Sequence, residues 1–177
     1  MPLNNAKVPV LGFAAHSGTG KTTLLTQLIP LLKAQGLQIG LIKHSHHNIQ
    51  IDQPGKDSYR LREAGASPVM LSSSHRRFIV TEFTDVKEPV LDEELMAFDQ
   101  TRVDLILVEG FKTAGFPKIE LHRQDLDKPT LYPNDPNIIA VASDAKLELP
   151  QPLLWLDLNR PEQIARFVIE RFLPHHD

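Results

Sequence analysis

Near its amino terminus the chain reads Ala15-His-Ser-Gly-Thr-Gly-Lys-Thr-Thr23, directly after the apolar run 8–14 and before a segment of helically spaced leucines. The motif matches the phosphate-binding loop Gly-x-x-x-x-Gly-Lys-Ser/Thr, with Ala15 in place of the first glycine. Such a motif is specific when a strand precedes it and a helix follows it, and both are expected here. The sequence therefore predicts a loop that binds the phosphates of a nucleoside triphosphate.

The residue types of this loop suit that chemistry. Gly18 and Gly20 allow the backbone to turn successive N–H groups toward phosphate oxygens, and the following helix adds its partial positive charge. We expect Lys21 to contact the β- and γ-phosphates and the Thr22 hydroxyl to hold Mg²⁺, which makes these two the candidate catalytic residues. The predicted nucleotide-binding residues of the loop are His16, Ser17, Gly18, Thr19, Gly20, Lys21, Thr22 and Thr23.

Apolar periodicity predicts alternating strands and helices along the chain. Strands are expected at residues 9–15, 38–43, 69–71, 77–81, 103–108, 118–121, 138–142 and 153–158, and helices at 21–35, 57–64, 92–98 and near the carboxyl terminus. Pro30 is expected to kink or shorten the first helix. The alternation favours an α/β fold with a mostly parallel sheet flanked by helices, the P-loop NTPase fold, in one nucleotide-binding domain over residues 1–177.

Composition limits the possible functions. The 177 residues carry a formal net charge of −3, which argues against broad binding of nucleic acid or anionic membranes. The chain has no cysteine, so disulfides, thiolate metal sites and a cysteine nucleophile are excluded. No apolar run approaches the roughly 20 residues that span a bilayer, and the first residues lack the apolar core of a secretory signal. We therefore expect a cytoplasmic protein that binds neither nucleic acid nor membrane.

A carboxylate ends the most apolar strand, which reads Asp104-Leu-Ile-Leu-Val-Glu-Gly110. An acidic residue at such a strand end can hold Mg²⁺, or a water bound to it, opposite the phosphate loop. Glu109 is therefore a candidate metal ligand beside Thr22. Lys112 adds a cation close by in the sequence.

The loop after the second strand is rich in charge and histidine. One interpretation is a zinc site formed by His44, His46, His47 and Asp52, although their spacing matches no standard zinc pattern. Another is a phosphate-rich ligand held by Lys43, Lys56 and Arg60. Asp52 or Asp57 could also contact Mg²⁺ through water. Spacing does not choose among these alternatives.

The pair Ser143-Asp144 follows a predicted strand and is a candidate for binding the base. In many GTPases an aspartate at this place accepts the two hydrogen bonds that guanine offers and adenine does not. The usual Asn-Lys-x-Asp motif is absent, so the guanine preference rests on analogy.

Several motifs occur together and in order, and together they resemble the MobB family, the molybdopterin-guanine dinucleotide biosynthesis adaptor proteins. The phosphate loop is shared with many proteins, whereas Pro54-Gly-Lys-Asp-Ser58 and Val108-Glu-Gly-Phe-Lys112 are more specific to this family. Ile42-Lys-His44 with His47, and Glu63-Ala-Gly-Ala66, complete the pattern. The resemblance runs from about Val10 through Glu120 and more loosely beyond.

The resemblance implies a cytoplasmic, GTP-binding homodimer that requires Mg²⁺ and has weak GTPase activity. Family members assist the molybdopterin guanylyltransferase, which joins guanosine monophosphate to the molybdopterin cofactor. Lys21, Thr22 and Glu109 would keep the roles given above. The residues that would contact the substrate or partner are Lys43, His44, His47, Lys56, Asp57, Arg60 and Lys112.

A small-molecule kinase that uses ATP is the main alternative. Kinases of this size usually close an arginine-rich lid over the phosphates, and only Arg76-Arg77 offers a paired arginine here. A kinase also needs a base near the acceptor hydroxyl, for which Asp52 or Asp57 is a candidate. A nucleotide-binding module without turnover is the third possibility. No strong base is evident that would activate water, so we expect any hydrolysis to be slow.

Overall fold

The computed structural model describes residues 3–45, 49–50 and 52–175, except the side chain of the last of these. The chain divides into two compact units. We call Met1–His44 together with Pro89–Asp177 the sheet unit, and Ser45–Glu88 the hairpin unit.

The sheet unit contains six parallel strands flanked by helices, as the sequence predicted. The strands are β1 (Val10–Ala15), β2 (Ile39–Lys43), β5 (Leu105–Glu109), β6 (Lys118–His122), β7 (Ile138–Ser143) and β8 (Leu154–Asp157), and they lie in the order β2-β5-β1-β6-β7-β8. The helices are α1 (Lys21–Ala34), α3 (Leu91–Ala97) and α4 (Pro161–Phe167). After α4 the chain continues as a π-helical segment, Val168–Phe172, and a 3₁₀ turn, Leu173–His175.

Strand β1 is buried along its whole length because both faces of the sheet are covered. Leu11 and Phe13 point to one face, where they join a cluster with leucines of α1 and apolar residues of α4. Val10 points to the other face and joins a cluster with Leu91 and Leu95 of α3. A strand buried on both faces carries a continuous apolar run instead of an alternating one, which is the pattern seen in the sequence.

Helix α1 continues through Pro30 and ends at Ala34, one residue before its expected end. Pro30 therefore does not end the helix. Gly36, at φ 89°, follows as a left-handed stop signal. The buried leucines of α1, Leu24, Leu25, Leu28 and Leu32, hold the helix against the sheet.

The register of the strands brings the loops of interest to one edge of the sheet. In the sheet Phe13 lies opposite Glu109, and Lys43 lies opposite Glu109 on the other side of β5. On the far side of β1, His122 lies opposite Ser143. The loops that follow β1, β2, β5, β6 and β7 therefore emerge at the same, carboxyl edge.

The hairpin unit contains the helix α2 (Asp57–Glu63) and the strands β3 (Val69–Ser72) and β4 (Arg77–Val80). These two strands pair with each other in antiparallel orientation and form a two-stranded sheet separate from the parallel one. An ion pair between Arg62 and Glu82 ties α2 to the segment that follows β4. In the described ranges of both units, no helix combines the length and the apolar character needed to cross a membrane.

Candidate functional site

The phosphate loop lies between β1 and α1, as its motif predicted. Gly18 and Gly20 adopt left-handed conformations, with φ of 83° and 98°, which favour glycine. Thr19 is buried, and its hydroxyl donates to the carbonyl oxygen of His16 at 2.8 Å. His16 itself contacts the Pro129 carbonyl oxygen through its Nε2 atom at 3.0 Å. The loop is thus shaped by a hydrogen bond within it and by another to a residue outside it.

The first turn of α1 is suited to an anion. Its N-cap residue is Gly20, which has no side chain to occupy the first N–H groups, and its first turn carries no acidic residue. The side chains of Ser17, Thr22 and Thr23 around this turn are exposed. The backbone N–H groups and the partial positive charge of a helix N-terminus together favour a phosphate.

The Lys21 side chain folds along the loop, where its ammonium group donates to the Ala15 carbonyl oxygen at 3.4 Å. Its pKa lies below the ordinary value, mainly because the side chain is partly buried. The negative charge of Glu109 opposes this shift, and the positive charges of Lys112 and Lys43 add to it. The electrostatic neighbours of Lys21 are therefore one carboxylate and two further lysines.

Glu109 ends β5 at the same edge as the phosphate loop and is mostly buried, with 13% of its side chain exposed. One of its carboxylate oxygens lies 3.1 Å from the ammonium group of Lys43, whose side chain is 52% exposed. The predicted metal ligand therefore forms an ion pair. Carboxylate and hydroxyl oxygens are the ligands that Mg²⁺ prefers, and Glu109 and Thr22 supply both types.

The residues after β5 pack against the end of β2. The backbone N–H of His44 donates to the Glu109 carbonyl oxygen at 2.9 Å, and the His44 ring lies 4.9 Å from the ring of Phe111. Gly110 has a φ of 101°, and a Cβ atom there would lie only 2.7 Å from the Cβ of His44. His44 therefore packs beside the strand ends, and Gly110 is required by this packing. Lys112 follows with an exposed side chain.

Four of the predicted residues, Asp52, Lys56, Asp57 and Arg60, lie in the hairpin unit. Asp52 accepts a hydrogen bond from the Ser58 hydroxyl at 2.9 Å, which ties it to the first turn of α2. Lys56, Asp57 and Arg60 are exposed at or within that helix. Their roles toward a metal or partner stay predictions.

The zinc hypothesis is not decided by the structure. His46 and His47 lie outside the described residues, and so the roles predicted for them stay predictions. Within the described parts of the chain, no group of three or more histidine, aspartate or glutamate side chains is arranged to hold a metal ion.

The candidate base-binding pair differs in exposure. Ser143 is fully buried, its hydroxyl donates to the Ala145 carbonyl oxygen, and it accepts a hydrogen bond from the Trp155 ring nitrogen at 2.8 Å. The Asp144 carboxylate accepts from the Gln124 backbone N–H at 3.2 Å and is partly exposed at the carboxyl edge of the sheet. Of the two, Asp144 therefore has the more accessible side chain.

Two residues near the loop were not recognised from the sequence. Arg123, directly after β6, donates from Nε to the Thr19 carbonyl oxygen at 3.0 Å. Glu120 is buried in β6 and accepts the backbone N–H groups of Leu131 and Tyr132 at 2.7 and 2.9 Å. Its pKa is raised by burial, and the two hydrogen bonds oppose that shift. For Glu120 the sequence offered one signal, the alternation of charged and apolar residues in Lys118–His122.

The parallel sheet, the loop after β1 and the acidic end of β5 define a protein of the P-loop NTPase fold. A family model described as "Molybdopterin guanine dinucleotide synthesis protein B" (MobB) matches residues 10–144. The Haemophilus influenzae protein named molybdopterin-guanine dinucleotide biosynthesis adapter protein is 49% identical over 97% of this chain and 93% of its own length. The Escherichia coli protein of the same name is 49% identical over 92% of this chain and 93% of its own length.

Solved structures agree in fold. One, described as molybdopterin-guanine biosynthesis protein B, superimposes with a TM-score of 0.69 at 24% identity and covers 91% of this chain and 98% of its own. The structure of Bacillus subtilis MobB gives a TM-score of 0.68 at 21% identity and covers 92% of this chain and 96% of its own. This chain belongs to the MobB family, which confirms the identification made from its motifs.

Proposed function

We propose that this protein is a GTP-binding adaptor in the synthesis of molybdopterin guanine dinucleotide, where it assists the molybdopterin guanylyltransferase. Family membership and the names of its relatives support the pathway. The observation that carries the nucleotide-binding part is the phosphate loop, whose left-handed glycines and uncapped helix start form a cradle for phosphate oxygens.

The residues at this edge fit GTP with Mg²⁺. Thr22 and Glu109 would hold the ion, which would neutralise part of the phosphate charge. Lys21 would leave the Ala15 carbonyl oxygen and turn toward the β- and γ-phosphates. Asp144, which is partly exposed, would accept hydrogen bonds from the guanine base.

Hydrolysis should be slow. Glu109 is a carboxylate close to the phosphate loop, but it is engaged by Lys43 and is not free to take a proton from water. Turnover would then rest on the charges of Lys21 and the metal ion alone. We therefore propose a weak GTPase in which nucleotide binding, more than hydrolysis, serves the adaptor role.

A second anionic ligand would meet the remaining lysines. Lys43 and Lys112 extend the positive charge beyond Lys21, and both side chains are exposed. A phosphate of the molybdopterin cofactor, or an acidic group of the guanylyltransferase, would be attracted to them. The exposed charged residues of α2, Lys56, Asp57 and Arg60, are further candidates for contact with the partner.

We also propose that the chain forms a homodimer in the cytoplasm. The hairpin unit exposes apolar side chains that a lone molecule would leave in water, with Met70 and Ile79 each 57% and Phe83 72% exposed. Met70 lies opposite Ile79 in the pairing of β3 with β4, so the two form one patch. Clustered exposed apolar residues indicate an interaction surface.

Calorimetric titration of the purified protein with GTP and with ATP, each with Mg²⁺, tests this function. It should be repeated after purified molybdopterin is added. We expect a preference for GTP and a change in its affinity when molybdopterin is present. A preference for ATP, with phosphate transferred to a small acceptor, would instead make the protein a kinase.

A further inference from the structure

The buried peptide between Thr19 and Gly20 is held by a residue outside the phosphate loop. Arg123 lies more than a hundred residues later in the chain, directly after β6, and its Nε atom donates to the Thr19 carbonyl oxygen at 3.0 Å. Thr19 is 1% exposed, so its carbonyl oxygen is largely shielded from water, whereas 36% of the Arg123 side chain is exposed.

The orientation of this peptide matters for binding an anion. A trans peptide is planar, so its C=O and its N–H point in opposite directions. If the Gly20 N–H faces a phosphate, the Thr19 carbonyl oxygen must point away from it, toward the protein. A buried carbonyl group needs a donor there, and Arg123 supplies a charged one.

The same guanidinium is anchored on its other side. Its Nη1 atom lies 3.4 Å from a carboxylate oxygen of Asp144, and the other oxygen of Asp144 accepts the Gln124 backbone N–H at 3.2 Å. Because β6 lies between β1 and β7, Arg123 can reach the loops that follow both neighbouring strands. One side chain thus joins the phosphate loop to the candidate base-binding aspartate.

We propose that Arg123 is a positioning residue that fixes the Thr19–Gly20 peptide in its phosphate-binding orientation and is itself held in place by Asp144. The inference rests on the proposed binding of GTP. Arg123 acts through the backbone of the loop and through Asp144, without touching the nucleotide.

Calorimetry with two probes, GTP and inorganic tripolyphosphate, each with Mg²⁺, tests this role. Tripolyphosphate reports on the loop alone, because it carries no base. We expect Arg123→Gln to weaken both probes about tenfold to a hundredfold, the usual effect of losing a hydrogen bond from a charged group. Arg123→Lys should recover part of the affinity, because an ammonium group can also donate to a carbonyl oxygen.

The matched control is Arg102→Gln, which makes the same change at an exposed arginine before β5, at the opposite edge of the sheet. It should leave both affinities unchanged. Asp144→Asn should weaken the binding of tripolyphosphate even though it removes a negative charge, because the Arg123 guanidinium loses the carboxylate that holds it in place. Stronger binding in that variant would overturn the anchoring by Asp144.

The stoichiometry of binding separates positioning from a general loss of structure. A variant that is only less stable would bind a smaller fraction of sites with unchanged affinity, and that result would overturn the proposal. So would wild-type affinity for both probes in Arg123→Gln. If that variant does not fold, Asp144→Asn decides, and wild-type affinity for tripolyphosphate in Asp144→Asn would overturn the proposal. If the wild-type protein binds neither probe, the proposed function itself fails.

Discussion

The two units of this protein use their apolar residues in opposite ways. In the sheet unit, β1 is buried along its whole length and its apolar side chains pack under helices on both faces. In the hairpin unit, β3 and β4 form a two-stranded sheet, and Met70 and Ile79 are each 57% exposed. The sheet unit therefore completes its own core, whereas the hairpin unit leaves an apolar surface exposed.

The largest expected effect contrasts one buried and one exposed apolar residue. Leu28→Ala removes a fully buried side chain of α1 and should lower the free energy of unfolding by about 2–5 kcal/mol. Met70→Ala changes a side chain that is 57% exposed and should stay within about 0.5 kcal/mol for the monomer. Urea unfolding of both variants at low protein concentration measures the difference. Equal losses would contradict the contrast between the two units.

The next effect concerns the phosphate loop. Lys21→Ala should weaken GTP binding at least about a hundredfold, because it removes the cation expected to face the β- and γ-phosphates. Lys33→Ala, at an exposed position in the last turn of the same helix, is the matched control. Titration with a fluorescent nucleotide measures both. Retained tight binding in Lys21→Ala would refute the assigned role.

Most of the sheet unit could be predicted because its signals are local. The run before Ala15 is too continuous for a half-exposed strand, and the glycine spacing of the loop after it has few structural solutions. The position of Glu109 could also be predicted from the sequence, because a carboxylate that ends a buried strand must lie at the edge of the sheet. Family resemblance added the pathway.

The pairing of the hairpin strands could not be predicted from periodicity, and the contacts of Arg123 and His44 could not be predicted because they join residues that are distant in the sequence. The sequence indicated strands near residues 69 and 77, but periodicity does not say which strands pair, and these two form their own antiparallel sheet. Arg123 belongs to no spaced motif, so its contact with Thr19 appears only in three dimensions. The packing of His44 against Phe111 was hidden for the same reason.

A smaller effect should follow when the apolar patch of the hairpin unit is made polar. The double variant Met70→Ser with Ile79→Ser should raise the dissociation constant of the proposed homodimer about tenfold or more. The reason is that two apolar side chains expected to be buried against the partner are replaced by small polar ones. Leu154→Ser, which changes an exposed leucine of the sheet unit, is the control. Sedimentation equilibrium measures the association, and an unchanged constant in the double variant would remove the patch from the interface.

The smallest effect tests the ion pair at the sheet edge. Lys43 would compete with the proposed metal ion for the Glu109 carboxylate, because one oxygen of this carboxylate already lies 3.1 Å from the lysine. Lys43→Ala should therefore tighten Mg²⁺ binding in the GTP complex about twofold to fivefold, the range of an exposed ion pair. Lys43 also lowers the pKa of Lys21, so its removal should raise that pKa and keep Lys21 charged to higher pH.

Lys112→Ala separates this competition from a general loss of positive charge. Lys112 also lowers the pKa of Lys21, but within the described residues the ion pair of Glu109 is with Lys43. Both variants should bind GTP slightly more weakly in the absence of metal. Only Lys43→Ala should increase the gain in affinity that adding Mg²⁺ produces. Titrating each GTP complex with Mg²⁺ measures that gain. An equal gain in both variants would mean that Glu109 is not the contested ligand, and that the lysines act on the nucleotide through charge alone.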